Sequence, residues 1–288
     1  MIAAFIAFAA FAPAAPDTYA LQWKFKEGDV FYNKTTINID QTIEVMEQKV
    51  DQSITMKVIV KFKVKSVKEG TTVVEMTYLE NSVDAKGLPG GNNADKLKGV
   101  SFTATMNAKL EITKLEGYDK FLDAVSDGDE AQRKLLKAIM PENTIRQSFG
   151  QTFTIAPEKP VAVDDKWNRT DKIALGPLGN VETKSALKLD SVKGDLATIS
   201  VKGDVKFKAA DGDGGGLPFQ ITAADLKADK FDGKHIFDTK IGRLTESKVE
   251  MTLSGTMTIK AAGQTVDAKL VQKMKTVSAI TDKNPIVD

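Results

Sequence analysis

One stretch of this chain is echoed later in it, and that echo constrains the fold more than any single motif. Lys63-Val64-Lys65-Ser66-Val67-Lys68-Glu69-Gly70-Thr71-Thr72-Val73-Val74 reads again as Lys188-Leu189-Asp190-Ser191-Val192-Lys193-Gly194-Asp195-Leu196-Ala197-Thr198-Ile199. Each copy is a strand, a tight turn with lysine and glycine, and a second strand. A recurring β unit sets an architecture before any residue has a role. Two more correspondences follow in the same order. Glu27-Gly28-Asp29-Val30-Phe31 resembles Val163-Asp164-Asp165-Lys166-Trp167, an acidic turn before an aromatic-led strand. Gly99-Val100-Ser101-Phe102 through Leu110 resembles Gly233-Lys234-His235-Ile236 through Leu244. The sequence is therefore read as two β units, residues 20–117 and 150–280, followed by a short tail, 281–288.

Within both units apolar residues alternate with polar ones, the period of a half-buried strand. Met56, Val58, Val60, Phe62 and Val64 share one face, and Lys57, Lys61, Lys63 and Lys65 share the other. Val249, Met251, Leu253, Met257 and Ile259 alternate with Glu250, Thr252, Thr256 and Lys260. Ala262-Gly263-Gln264 then turns the chain into a returning strand. One apolar and one wet face is the mark of an antiparallel sheet.

Residues 118–148 break the period. Tyr118, Phe121, Leu122, Val125, Leu135, Leu136, Ile139 and Met140 recur at helical spacing, with Asp129 placed to cap the second helix and Pro141 to end or kink it. A helical hairpin is expected, covering part of the apolar face of the sheet.

Charge and cysteine content narrow the partners. Forty basic residues stand against 39 acidic ones, which gives no general attraction for nucleic acid or anionic membranes. The absence of cysteine removes disulfides, thiolate nucleophiles, thiolate zinc sites and a lipidated N-terminal cysteine. Residues 1–16 are an uncharged Ala/Phe/Ile run ending in small residues and proline, with Ala12 and Ala14 where a signal peptidase reads. The run is too short to span a bilayer. A cleaved signal peptide is expected, its positive region lying upstream of Met1. Export to the periplasm or cell exterior follows, with no integral membrane segment in the mature chain.

Candidate chemistry is sparse. His235 is the single histidine, lies beside Ile236 and Phe237 in a strand, and has no Gly-x-Ser-x-Gly elbow nearby, so a surface or edge position is expected. Asp211-Gly212-Asp213-Gly214-Gly215-Gly216 lacks the later ligands of a calcium loop and is read as an acidic turn. Leu88-Pro89-Gly90-Gly91-Asn92-Asn93 and Gly176-Pro177-Leu178-Gly179-Asn180 are turns rather than phosphate loops. Trp23 and Trp167 are assigned equivalent core positions in the two units. No catalytic, cofactor-binding or metal-ligating residue emerges, and no cofactor is implied.

Lys26-Glu27-Gly28-Asp29, Pro157-Glu158-Lys159-Pro160-Val161 leading into Asp165-Lys166-Trp167, and Asp238-Thr239-Lys240-Ile241-Gly242-Arg243-Leu244 resemble an uncharacterised family of secreted bacterial β-rich proteins, a domain of unknown function. That resemblance carries no catalytic residues. At the level of architecture alone, a curved sheet with helices in its concavity is similar to periplasmic lipoprotein-carrier half-barrels.

The expected fold is α+β, mainly β: a long curved antiparallel sheet, open or closed into a half-barrel, built from two repeated β units and covered by a helical hairpin. The expected function is non-catalytic binding of a lipid or other apolar or amphipathic ligand. Met56, Val58, Val60, Phe62, Phe121, Leu122, Val125, Met251 and Met257 are the candidate ligand-facing residues. The other reading is a structural or interaction module of the cell envelope with no small ligand. It would present Lys57, Lys61, Lys63 and Lys65 to an anionic partner, and a hydrolase stands third.

Overall fold

A computed structural model describes residues 17–86, 94–210, 217, 219–261 and 263–286. The leader at 1–16, the turn at 88–93, the glycine-rich insert at 211–216 and Ala262 lie outside the described residues.

The chain enters through β1 (Thr18–Tyr19) and builds β2 (Val30–Val45), β3 (Gln48–Lys68), β4 (Thr71–Lys86), β5 (Ser101–Met106) and β6 (Ile112–Glu116). Helices α1 (Tyr118–Ser126), α2 (Glu130–Ile139) and α3 (Glu142–Phe153) follow. Strands β7 (Val161–Ala162), β8 (Lys166–Ala174), β9 (Gly179–Lys193), β10 (Leu196–Ala209), β11 (Phe219–Asp238), β12 (Arg243–Ala261) and β13 (Gln264–Thr281) complete it. Eleven strands form one antiparallel sheet in the order β6-β5-β4-β3-β2-β13-β12-β11-β10-β9-β8, while β1 pairs with β7 alone. The β2–β13 pairing joins the strands of the two sequence units.

This sheet is curled. Eleven strands laid flat at ~4.8 Å would set the edges about 48 Å apart. Yet α3, about 18 Å long at 1.5 Å per residue, comes within 8 Å, Cα to Cα, of both edge strands, β6 and β8. The edges curve toward each other and α3 lies in the gap between them, so the sheet stays open and is closed by a helix. The inner face is the one the alternation marks. Phe31 on β2 stacks on Phe62 of β3 with ring centroids 4.9 Å apart.

Among the described residues three α-helices are present where two were expected. Asp129 caps α2, its carboxylate accepting from the backbone N–H groups of Ala131 and Gln132. Pro141 does not merely end a helix. Its extended backbone (φ −60°, ψ 156°) is the N-cap of α3. Proline suits that place because the first helical N–H groups have no partner within the helix.

The packed core lies under β2–β6 and continues onto Leu187 and Leu189 of β9, Ile199 of β10, Phe237 of β11 and Leu244 of β12. Phe102 meets Phe121 of α1 and Phe149 of α3, with centroids 5.7 Å and 5.3 Å away. Trp23 packs edge-on to Phe153 at 5.1 Å, and the Arg243 guanidinium lies over the Phe31 ring at 4.9 Å.

The hairpin ends of the two units share one hydrogen-bond arrangement. Asp29 accepts from Lys26 N through Oδ2 at 3.1 Å, and its carbonyl takes the Val64 N–H at 2.9 Å. Asp165 accepts from Ala162 N at 2.7 Å, and its carbonyl takes the Leu189 N–H at 3.0 Å. Both hairpins also skip one residue next to that point, after Val64 and after Leu189. These corners align Trp167 with Phe31. Trp23 belongs to the segment before β2, so the pairing of the two tryptophans is corrected. Strand pairing likewise sets Ala104, rather than Ser101, in register with His235, because Val74 faces Ala104 as Ile199 faces His235.

Candidate functional site

Next to this core the concavity is hollow. A cavity of about 600 Å³ lies between α3 and the inner faces of β2 and β8–β13. Its position follows from side-chain size along the strands. Inner positions of β3–β6 carry Val60, Phe62, Met76, Phe102 and Met106, all buried in one cluster with Phe121 and Leu122. Farther along β9, β12 and β13 than Leu187 and Leu244, which belong to that cluster, inner positions carry Thr183, Ser185, Ser247, Thr276 and Ser278, which are too short to meet across the concavity.

Helix α3 serves both the core and the cavity. Ile145, Phe149 and Phe153 pack into the core, whereas Ser148, Gln151 and Thr152, with Ile155 just beyond the helix, form the cavity roof. These are two stripes of the same helix, each at the three- and four-residue spacing that shares a face.

The cavity is apolar over much of its wall, with Val181, Val201, Phe231, Val249, Met251 and Met274. Gly203 makes room for one of these, since a Cβ there would lie 2.4 Å from the Phe231 ring. The charged groups and the histidine lie on β8, β11 and β12, and further hydroxyls on β9 and β13. Arg169 donates through Nη2 to Asp171 Oδ1 at 2.6 Å and through Nη1 to the Gln151 carbonyl at 3.1 Å. His235 Nδ1 lies 2.9 Å from Ser247 Oγ. Removal from water, and then the Arg169 charge, push the His235 imidazole down to about 4, so the ring is neutral near pH 7. This corrects the surface or edge position expected from sequence: His235 is 5% exposed and sits in the sheet interior.

The histidine and serine face each other as directly paired residues of neighbouring strands. No carboxylate is hydrogen-bonded to the ring among the described residues, so the acid that orients a Ser–His–Asp triad is not supplied. Nor do three or more of the described His, Asp or Glu residues come together as a metal site.

The candidate ligand-facing residues divide. Met251 lines the cavity. Met257 packs in a small second cluster around Val205, Leu253 and Leu270. Val60, Phe62, Phe121 and Leu122 are buried in the packed core, with Val58 and Val125 against it, and Met56 lies across from Ile37 on the inner face. Sequence reasoning missed Arg169, Asp171 and the α3 polar stripe. The available signal was the run of small and hydroxyl side chains at inner positions of β9, β12 and β13. On the outer face of β3, Lys57, Lys63 and Lys65 are exposed and Lys61 is half-buried. Lys65 pairs with Glu75 at 3.7 Å.

Fold and cavity define a class: an open, curled antiparallel sheet whose edges are bridged by a helix over an internal hollow. Within it the chain belongs to the Family of unknown function (DUF6263), whose model matches residues 55–262. A search of the curated proteins returns no match. Among solved structures, the chain is similar to lipovitellin, in a structure titled for its lipid–protein interactions. The identity is 9% and the TM-score 0.46, over 91% of this chain and 26% of that one. The chain thus spans about a quarter of lipovitellin's length. An outer membrane channel from Pseudomonas putida F1 follows at 9% identity and TM-score 0.23, covering 90% of this chain and 97% of that one. A porin mutant from Rh. blastica aligns at 8% identity and TM-score 0.25, over 85% and 99%. Among the described residues no helix is long and apolar enough to cross a membrane.

Proposed function

We propose that this is an exported, non-catalytic binding protein that holds an amphipathic ligand in the cavity beneath α3. The observation that carries the reading is the contrast between the packed and the hollow part of one concavity. Aromatic, methionine and aliphatic side chains fill the packed part, while the hollow part keeps about 600 Å³, within the range of small-ligand cavities, about 300–1,000 Å³. An apolar wall with a few convergent polar groups is the composition such cavities share. Methionines 251 and 274 add adaptable surface. The matching corners at Asp29 and Asp165 support descent of the two units from one ancestor, with helices added after the first and room left in the second. The apolar run at residues 1–16 supports export.

Native mass spectrometry of protein purified from its own host tests this. The reading expects a co-purified apolar molecule in the wild type and its loss when Val249→Trp or Met251→Trp fills the cavity. A protein that carries no bound mass, and that also fails to bind the uncharged fluorophore N-phenylnaphthylamine after delipidation, overturns it.

A further inference from the structure

The charges around the cavity go further and select a ligand class, given that the cavity is a ligand site. Among the described residues four titratable side chains line it: Arg169, Asp171, Glu246 and His235. Arg169 is the one cation among these described residues, and it is already engaged, by the Asp171 carboxylate at 2.6 Å and the Gln151 carbonyl at 3.1 Å. Its side chain is 14% exposed and that of Asp171 21%, so the pair is largely withdrawn from water. Glu246, at the β11–β12 bulge, is exposed and adds a negative charge at the margin. A buried anion needs a partner charge to offset its lost hydration, and this wall has none free. What the wall does offer is neutral hydrogen bonding, from Ser185, Thr183, Ser247, Thr276 and the His235 ring.

We infer that the cavity takes amphiphiles whose polar end is uncharged, bearing hydroxyl, ester or carbonyl groups, and discriminates against fatty-acid and phosphate anions. Hydroxyl side chains can donate to a carbonyl and accept from a hydroxyl, so one wall serves both head types. The Arg169–Asp171 pair works here as a filter. Asp171 keeps the guanidinium from becoming a carboxylate receptor, the role an arginine fork otherwise fills well.

Displacement of bound N-phenylnaphthylamine from delipidated protein at about pH 8 tests the inference, with palmitate and monopalmitoylglycerol as competitors of equal chain length. Monopalmitoylglycerol is expected to displace the fluorophore at roughly tenfold lower concentration, since an unpaired buried anion is penalised. Asp171→Asn frees Arg169 and is expected to raise palmitate affinity by roughly tenfold, a gain a purely structural ion pair would not produce. Arg169→Gln combined with Asp171→Asn should keep the wild-type preference. Equal or tighter palmitate binding by the wild type overturns the neutral-head inference while leaving the cavity reading intact. Failure of the fluorophore and of both lipids to bind sinks both. Should Asp171→Asn not fold, by circular dichroism, the wild-type ranking decides alone.

Discussion

Ser247 Oγ and His235 Nδ1 sit 2.9 Å apart across β11 and β12, on the inner face of the curled sheet. Burial and the nearby Arg169 charge hold the imidazole at about 4, below its ordinary 6.5. The unfolded chain therefore binds a proton that the native chain refuses. Stability from this residue is complete above about pH 6.5 and is lost progressively as pH falls toward 4. The loss amounts to about 3 kcal/mol at most. Urea midpoints at pH 7 and pH 4.5 should separate more for the wild type than for His235→Gln, which can still bond Ser247. Parallel shifts in the two proteins would rule the account out.

The packed and hollow parts of the concavity should respond differently to truncation. Phe102 is fully buried against Phe121 and Phe149, so Phe102→Ala leaves a new cavity and should cost about 3–5 kcal/mol. Met251 already borders open space, and Met251→Ala should cost less than about 2 kcal/mol, below the usual range for such a change. Chemical denaturation of both variants measures the difference. Similar costs would mean that the cavity is not open in solution.

Alternation made much of this legible. It put Met56–Val64 on the inner face and the β3 lysines on the outer one, and the Val64/Leu189 echo falls where both hairpins skip a residue. What alternation cannot convey is whether an inward face is filled. Val60 and Phe62 look like a ligand wall by pattern, yet both are buried in the packed core, with Phe62 against Phe153 of α3. The site was hidden for a related reason. Thr183, Ser185 and Ser247 read as wet-face residues until strand order puts them opposite α3. His235 illustrates the limit, because whether a strand lies at the centre or the edge of a sheet is a property of topology, not of its local sequence. Helix α3 escaped because its apolar and polar stripes both face inward, leaving no single amphipathic signature.

Gly117 joins the edge strand β6 to α1 at φ 102°, and a Cβ there would stand 2.3 Å from the Ser101 carbonyl oxygen. Gly28 has a similar φ of 89° with nothing within 4 Å. Gly28→Ala should cost about 1 kcal/mol through backbone strain alone, and Gly117→Ala at least about 1 kcal/mol more, because the β5–β6 edge must also shift. Thermal unfolding of the two variants separates strain from steric conflict. Equal losses would show that the Ser101 contact relaxes freely.

Asp29 and Asp165 close the same kind of corner at the starts of β2 and β8, six strand steps apart in the sheet. Each carboxylate satisfies a backbone N–H three residues upstream, and each carbonyl anchors the neighbouring hairpin. Replacing either with alanine removes the side-chain bond and keeps the carbonyl, so each change should cost about 1 kcal/mol. The loss should be greater at Asp165, whose bond is 2.7 Å against 3.1 Å. Sites this far apart with no shared partner should add. A double-mutant cycle of Asp29→Ala and Asp165→Ala, followed by urea unfolding, should therefore give a coupling energy within about 0.5 kcal/mol of zero. A larger coupling would mean that the two corners, though distant along the sheet, are held together through the curl that brings its edges to α3.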